Sequence, residues 1–255
     1  MTVWLTSDTH FGHPLLAALR GFYNDTKNGR NARSMREAGI STPQIYDWAK
    51  RSHISMKEIA DTEEHDRFII DSINSCVSSG DTLFHLGDVS FRTGIEYTIE
   101  CMSQLDVPVE SRHLIIGNHD KCFRGNTKWS PSEFYPFYLQ MFSTIDETLK
   151  IDSISKDGAK DGELILCHFP WRDTTVHDEH TRERLLPFYP DRSRYMSHGR
   201  QIPLLYGHTH ADICDEFRDE MAIHVGLDAW GMKPVRLETV CSTLRLWLDD
   251  GNGNS

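Results

Sequence analysis

The chain of 255 residues contains no apolar run approaching the roughly 20 residues that a membrane-spanning helix needs. Its first residues run directly into Val3-Trp4-Leu5 with no basic stretch ahead of them, unlike a secretory leader. Neither a membrane span nor export is expected. Cysteine is sparse: Cys76, Cys101, Cys122, Cys167, Cys214 and Cys241 stand singly, with no C-x-x-C pair. That pattern excludes a disulfide-dense secreted scaffold and points to reduced thiols in the cytoplasm. Positive charge is also short, with 27 Lys and Arg against 38 Asp and Glu and a net charge of −11. Coating a duplex takes many cationic contacts to phosphates, so no stable complex with duplex nucleic acid is expected. Repeats and low-complexity tracts are missing too, apart from the tail Gly251-Asn252-Gly253-Asn254-Ser255, which should fray.

What is present is the composition of an ordinary globular protein, 38% hydrophobic and 25% charged, in a length that suits one domain over residues 1–255. Short apolar runs at Val3 to Thr6, Thr82 to Leu86, His113 to Ile116, Leu164 to Cys167, Pro203 to Tyr206 and Ala222 to Val225 end abruptly in Gly, Asp, Asn or His. Buried strands feeding an active-site rim have this form. Between the early runs, Glu63 to Val77 repeats Ile69, Ile73 and Val77 at helical spacing, and Gly94 to Leu105 occupies the next interval. Alternating strand and helix predict an α/β fold. The turn signals Asp157-Gly158 and Asp161-Gly162 predict a hairpin between Thr148 to Ile154 and Glu163 to Cys167, and with it a second, mixed or antiparallel sheet. Three long connections interrupt the scaffold: Gly12 to Thr62, the aromatic Lys121 to Phe142, and the arginine-rich Pro170 to Gln201. Connections of this length in a compact domain either decorate the surface or cover a substrate.

Five motifs place ligand atoms at the ends of apolar runs: Asp8-Thr9-His10, Gly87-Asp88, Gly117-Asn118-His119-Asp120, His168, and Gly207-His208-Thr209-His210. Residues two apart beyond a strand end can both face one point where the backbone bends, a bend that glycine permits. Asp-x-His or Gly-Asp alone means little, whereas three polar residues directly after Leu114-Ile115-Ile116 are costly to bury without partners. A His, Asp and Asn set without Cys suits Mn first, with Fe, Zn or Mg as alternatives. Asp8, His10, Asp88, Asn118, His168, His208 and His210 exceed what one four-coordinate ion can use, which predicts two divalent ions sharing a carboxylate.

This series of motifs resembles the calcineurin-like metallophosphoesterase superfamily, in its compact bacterial and phage form. The resemblance covers Val3 to about Leu237 but not the three long connections. It implies a four-layer α/β/β/α sandwich of two mixed sheets with the metals at strand ends. It further implies that Asp8, His10 and His210 bind one metal, that Asn118, His168 and His208 bind the other, and that Asp88 bridges them. His119 would contact the substrate phosphate and protonate or stabilise the leaving oxygen. The chain departs from the protein Ser/Thr phosphatases of the superfamily in reading Gly87-Asp88-Val89-Ser90-Phe91-Arg92 and in ending its Asn-His motif with Asp120, which argues against that role. Gly226-Leu227-Asp228-Ala229-Trp230 resembles the closing segment of small prokaryotic members.

The expected activity is hydrolysis of a small phosphodiester, of nucleotide or 2′,3′-cyclic nucleotide type, by a hydroxide bridging the two metals, with His119 as general acid. A monoesterase using the Arg-rich connection is the alternative, as is a nuclease stacking single strands on the Trp129 to Tyr138 aromatics. A metal-free scaffold of the same fold is the non-enzymatic alternative; no ligand position is lost here, which favours the enzyme. Asp120 is expected to orient the His119 ring, and His198 and Arg200 to approach the substrate. His85 and His224 are expected as satisfied core residues or as residues supporting the ligands from behind, His13 as a rim residue, and His177 and His180 as solvated.

Overall fold

The computed structural model describes residues 1–91, 94–154, 158–172, 179–197 and 199–252. Asp157, His177, His198 and the last three residues lie outside the described residues. In chain order the elements are β1 (Val3–Thr6), α1 (Pro14–Leu19), α2 (Lys27–Glu37), α3 (Thr42–Arg51), α4 (Thr62–Cys76), β2 (Thr82–His85), α5 (Ile95–Ser103), β3 (Arg112–Ile115), α6 (Pro131–Tyr138), β4 (Thr144–Asp146), β5 (Thr148–Ile154), β6 (Lys160–Cys167), α7 (Glu179–Leu185), β7 (Met196–Ser197), β8 (Arg200–Gln201), β9 (Leu204–Tyr206), β10 (Ala222–His224), β11 (Val235–Arg236) and α8 (Leu237–Asn252). No helix among the described residues is long and apolar enough to cross a membrane.

Two mixed sheets form the centre. In the first, ordered β11-β1-β2-β3-β4, the strands β1 to β4 run parallel and β11 antiparallel to β1. In the second, β10, β9 and β6 are parallel, and β5 pairs antiparallel with β6 as a hairpin. Side chains alternate across each strand, so Leu5 and Ile115 of one sheet meet Leu164, Leu166, Leu205 and Ile223 of the other between the sheets. The opposite set of the first sheet, Trp4, Leu83 and Leu114, packs with Ile69, Ile70 and Ile73 of α4 and with Cys101 and Met102 of α5. The outward set of the second sheet, including Ile165, Leu204 and Tyr206, is covered by Leu185 of α7 and by Phe169, Trp171 and Ile202. The architecture is thus the four-layer α/β/β/α sandwich.

The helix α4 starts where Asp61 accepts a hydrogen bond from the Glu64 amide at 2.8 Å, with Glu63 and Glu64 complementing the positive end of the helix. Parallel crossovers through α4 and α5 align the carboxyl ends of β1, β2 and β3, so the loops that follow all emerge on one side. The Gly12 to Thr62 connection forms α1, α2 and α3 around a small core of its own, built on Ala17, Ala18, Tyr23, Ala32, Ile45, Ala49 and Ile59. The motif-based expectations leave out α8, which buries Leu237, Val240, Cys241 and Leu244 at helical spacing and touches β1, β11 and β5, joining both sheets.

Candidate metal centre

The five motifs converge. Asp8, His10 and His210 bring ligand atoms within 4.8 Å of one another, as do Asp88, His168 and His208. Asn118 adds its Oδ1 to the second group, 3.1 Å from His168 Nε2. Between the groups lies Asp88: its Oδ1 accepts the His119 amide at 2.8 Å, which leaves Oδ2 3.5 Å from both His10 Nε2 and His168 Nε2.

The backbone that brings them together is unusual. Asp8 (φ 60°), His10 (φ 47°), Asp88 (φ 56°), His208 (φ 72°) and His210 (φ 53°) all occupy the left-handed region, at a cost of about 1 kcal/mol or more each. The bend expected of the motif glycines is therefore made largely by the ligands themselves. Gly117 and Gly207 serve close approach instead: a Cβ at Gly117 would stand 2.2 Å from Asp88 Oδ1, and one at Gly207 would stand 2.6 Å from Asp8 Oδ2. Continued pairing holds the loops, with the Asp8, His10 and Phe11 amides donating to Gly87, Asp88 and Val89 carbonyls at 2.9–3.0 Å.

Each imidazole is presented by a partner on its far nitrogen. His168 Nδ1 donates to the Leu86 carbonyl at 2.7 Å, which turns Nε2 inward. His210 Nδ1 donates to Asp228 Oδ2 at 2.9 Å, so Nε2 faces Asp8. His208 points its Nδ1 inward, 3.2 Å from His168 Nε2, while its Nε2 meets the Tyr189 hydroxyl at 3.1 Å. His10 is the exception: only 2% exposed, it has no hydrogen-bond partner on either nitrogen. A buried unpaired imidazole is destabilising unless something outside the chain satisfies it, and a divalent cation fits these donors.

The electrostatics agree. Burial pushes His10 down to about 4, leaving a neutral ring with a free lone pair. Burial alone would raise Asp8 and Asp88, but the surrounding imidazoles outweigh it and hold both carboxyls well below their usual range. Burial likewise lowers His168, yet Asp88 and Asp8 overcome it and lift the ring to about 9. The buried carboxylates thus draw positive charge to this point.

His119 differs from the ligands in being 38% exposed, with Nε2 3.9 Å from Asp88 Oδ2. Phe91 fixes its ring edge-on at 4.7 Å and stacks on His13 at 3.8 Å. His13 also caps α1, accepting the Leu15 amide at 3.2 Å, and is buried with its ring 5.3 Å from that of His10.

Several expectations are corrected. Asp120 does not turn toward His119: it accepts from the amides of Asp88 (3.0 Å), Val89 (3.0 Å) and Gly117 (2.8 Å) and from the Tyr138 hydroxyl (3.3 Å). It clamps two ligand loops together. Tyr138 is consequently buried and unavailable as a stacking surface, unlike Trp129, Tyr135 and Phe137. Arg200 lines a separate cavity with Pro203, Met221 and Leu244 that no ligand residue enters; Arg184 is the arginine of its connection that reaches the cavity beside His119. His198, expected to share that role with Arg200, lies outside the described residues. His85 is satisfied by Thr9 Oγ1 at 3.0 Å and the Gly87 amide at 3.2 Å, but both ring nitrogens of His224 are buried without a partner.

A polar chain that no motif announces lies beneath the centre. Arg20, 4% exposed, donates from Nε and Nη2 to the two Asp228 oxygens at 2.9 and 2.8 Å and from Nη2 to the Asp8 carbonyl at 2.8 Å. Its Nη1 meets His65 Nε2 at 3.1 Å, and His65 Nδ1 meets Asp66 at 2.7 Å. No local signal in the sequence links Arg20 to Asp228, which are 208 positions apart.

A two-sheet sandwich with two clusters of His, Asp and Asn at its strand ends is the arrangement of a metal-dependent phosphoesterase. Residues 1–212 match the calcineurin-like phosphoesterases, and the chain belongs to that family, whose members typically carry a dinuclear metal site and hydrolyse phosphoesters. It is similar to the Gene 66 protein of Mycobacterium phage L5, 26% identical over 231 residues that cover 89% of this chain and 87% of the relative. The Gene 66 protein of Mycobacterium phage D29 is also 26% identical, over 233 residues covering 89% and 88%. A protein of unknown function from Aquifex aeolicus, AQ665, shares the fold with a TM-score of 0.54 at 16% identity, over 95% of this chain and 98% of that one.

Proposed function

We propose that the protein is a phosphodiesterase acting on small nucleotide-type diesters, 2′,3′-cyclic nucleotides among them. In this reading Asp8, His10 and His210 hold one divalent cation, Asn118, His168 and His208 hold the second, and Asp88 is shared. Two bound cations, Mn in first place, supply a water activated at neutral pH and neutralise the phosphate oxygens. The chain's own residues do the rest. The Asp88 carboxylate and the anchored rings of His168, His208 and His210 orient the site, while His119 holds a proton where the departing oxygen leaves. Expelling an alkoxide from a diester without such a donor is slow, and a positioned acid contributes typically 10² to 10⁴ in rate.

The observation that carries this reading is the contrast between His119 and its neighbours: the rings of His168, His208 and His210 each turn one nitrogen toward the cluster and tie the other to a partner outside it, whereas the His119 ring, 38% exposed, lines the adjoining cavity. The test is an assay supplemented with Mn that compares bis(p-nitrophenyl) phosphate, p-nitrophenyl phosphate and a panel of cyclic nucleotides. Faster turnover of the diester and of at least one 2′,3′-cyclic nucleotide is expected. Preference for the monoester throughout would overturn the diesterase assignment.

A further inference from the structure

Beside the metal centre lies a cavity of about 670 Å³ into which, of the candidate metal and acid residues, only Asn118 and His119 reach. It therefore opens on the side where the leaving group departs. Its wall is chemically distinct from the rest of the molecule. The protein carries 38 acidic residues against 27 basic ones, yet no carboxylate lines this cavity among the described residues, while Lys121, Lys128 and Arg184 do. Two aromatic side chains, Phe91 and Trp129, share the wall.

Two of the three cations are held by the fold, while Lys128 is exposed. Lys121 is 9% exposed and lies 5.1 Å over both the Trp129 and the Phe134 rings. A desolvated ammonium over aromatic faces is held by cation–π attraction, and it retains its capacity to donate to an anion. Arg184 donates from Nη1 to the Gly125 carbonyl at 2.7 Å, which anchors the guanidinium at the wall. Phe91 is fixed between His13 and His119. Trp129 is 45% exposed, with Lys121 over its ring and Phe134 edge-on at 5.7 Å, so an aromatic surface beside cations remains open to solvent. A cavity that carries three cations and two aromatic rings among neutral polar side chains, with no carboxylate among the described residues, suits a ligand that is both anionic and planar. Cations alone would suit inorganic phosphate, and aromatics alone an uncharged aryl group.

We propose that this cavity binds the departing half of the substrate and that this half is a nucleotide, its base on Trp129 and Phe91 and a second phosphate on Lys121, Lys128 and Arg184. The inference rests on the phosphodiesterase reading and extends it: the cleaved ester joins phosphorus to a nucleoside that carries a further phosphate. Water adds to the phosphorus and gives up a proton to solvent, the ester P–O bond breaks, and the nucleoside oxygen leaves with a proton from His119, which solvent then restores to the ring. A free dinucleotide and the end of a single strand present the same chemistry.

The test compares kcat/KM for the thymidine dinucleotide dTpdT, the same dinucleotide with a terminal phosphate at its 5′ or 3′ end, a phosphorylated single-stranded decamer, and bis(p-nitrophenyl) phosphate. Calorimetric binding of thymidine 3′,5′-bisphosphate provides a readout without turnover. In the parent protein, one of the two terminal phosphates should raise kcat/KM by about tenfold or more, the range of a charge-assisted hydrogen bond. Arg184→Ala should bring the ratio of phosphorylated to unphosphorylated dinucleotide toward one and weaken bisphosphate binding by about tenfold. Trp129→Ala should weaken binding by about the same factor for loss of stacking. The decamer distinguishes sources: turnover equal to the dinucleotide points to a strand end, and turnover confined to the dinucleotide points to a small molecule. A terminal phosphate with no effect at either end, while bis(p-nitrophenyl) phosphate is hydrolysed, overturns the nucleotide cavity and leaves the diesterase reading standing. If no ester is hydrolysed, the diesterase reading fails, and bisphosphate binding insensitive to Arg184→Ala and Trp129→Ala overturns the cavity separately.

Discussion

Replacing Arg20 by alanine tests whether the polar chain beneath the metals matters. The side chain is 4% exposed and Asp228, its bidentate partner, 17%. Breaking a buried pair by removing one partner strands the other charge and costs 3–5 kcal/mol where both are fully desolvated. Partial exposure of Asp228 places the expected cost near the lower end, about 3 kcal/mol. At 2–4 °C per kcal/mol for a chain of this size, the melting temperature should fall by roughly 6–12 °C. A second effect follows from geometry: Asp228 is what turns the His210 ring, with Nδ1 at 2.9 Å, and the same guanidinium holds the Asp8 carbonyl. Loss of such outer partners lowers metal affinity by 10- to 100-fold as an order of magnitude. The assay is thermal unfolding with EDTA and with excess Mn, together with elemental analysis after dialysis. Adding Asp228→Ala to Arg20→Ala should recover part of the loss, because the stranded carboxylate is then gone, and the double-mutant cycle should show coupling above about 1 kcal/mol. An Arg20→Ala protein that melts within a degree of the parent and keeps its metals would show that the chain from Arg20 to Asp228 supports neither the fold nor the metal ligands.

Three further outcomes are expected. His119→Ala should lose about 10² to 10⁴ in turnover on a diester while elemental analysis finds the metals retained, since its ring is not among the inward-facing ligands; an undiminished rate would remove His119 from the chemistry. Asp88→Ala should lose metal and activity together, because its Oδ2 is equidistant from the two clusters at 3.5 Å; full occupancy by elemental analysis would show that it is not shared. For Asp228, burial raises the carboxyl pKa, but Arg20 and His210 overcome it and hold it well below the usual carboxylate value. Its stabilising contribution is therefore complete above the unfolded value of about 3.9 and is lost as pH falls through the folded value. The stability deficit of Asp228→Asn, measured by denaturant unfolding, should shrink below about pH 4, and a deficit constant with pH would contradict this assignment.

Much of the scaffold is legible along the chain because its signals are local. The apolar runs at Val3, Thr82, His113, Pro203 and Ala222 are strands within a residue of their expected bounds, the run at Leu164 is the end of a strand that begins four residues earlier at Lys160, and the 3.6-residue spacing of Ile69 and Ile73 marks the face that α4 buries. The ligand types at the strand ends are equally local, since a run of Gly, Asn, His and Asp after three apolar residues needs partners wherever it folds. The helix α8 carries the same kind of signal in Leu237, Val240, Cys241 and Leu244, but no chemistry draws attention to it.

What the chain alone determined, then, is the set of ligand-bearing residues, their order, and the alternation of strand and helix that sends them to one edge. Tertiary structure decided which nitrogen of each ring faces inward, that Asp120 clamps loops instead of steering His119, and that Arg184, not Arg200, reaches the cavity beside the acid. Those choices depend on contacts between residues such as Arg20 and Asp228, far apart in sequence. Periodicity reports only what a residue does within its own element, so a long-range pairing leaves no trace in it. Even the left-handed turns at Asp8, His10, Asp88, His208 and His210 arise this way: the strands and the apposed loops hold those residues in a conformation that their own side chains disfavour.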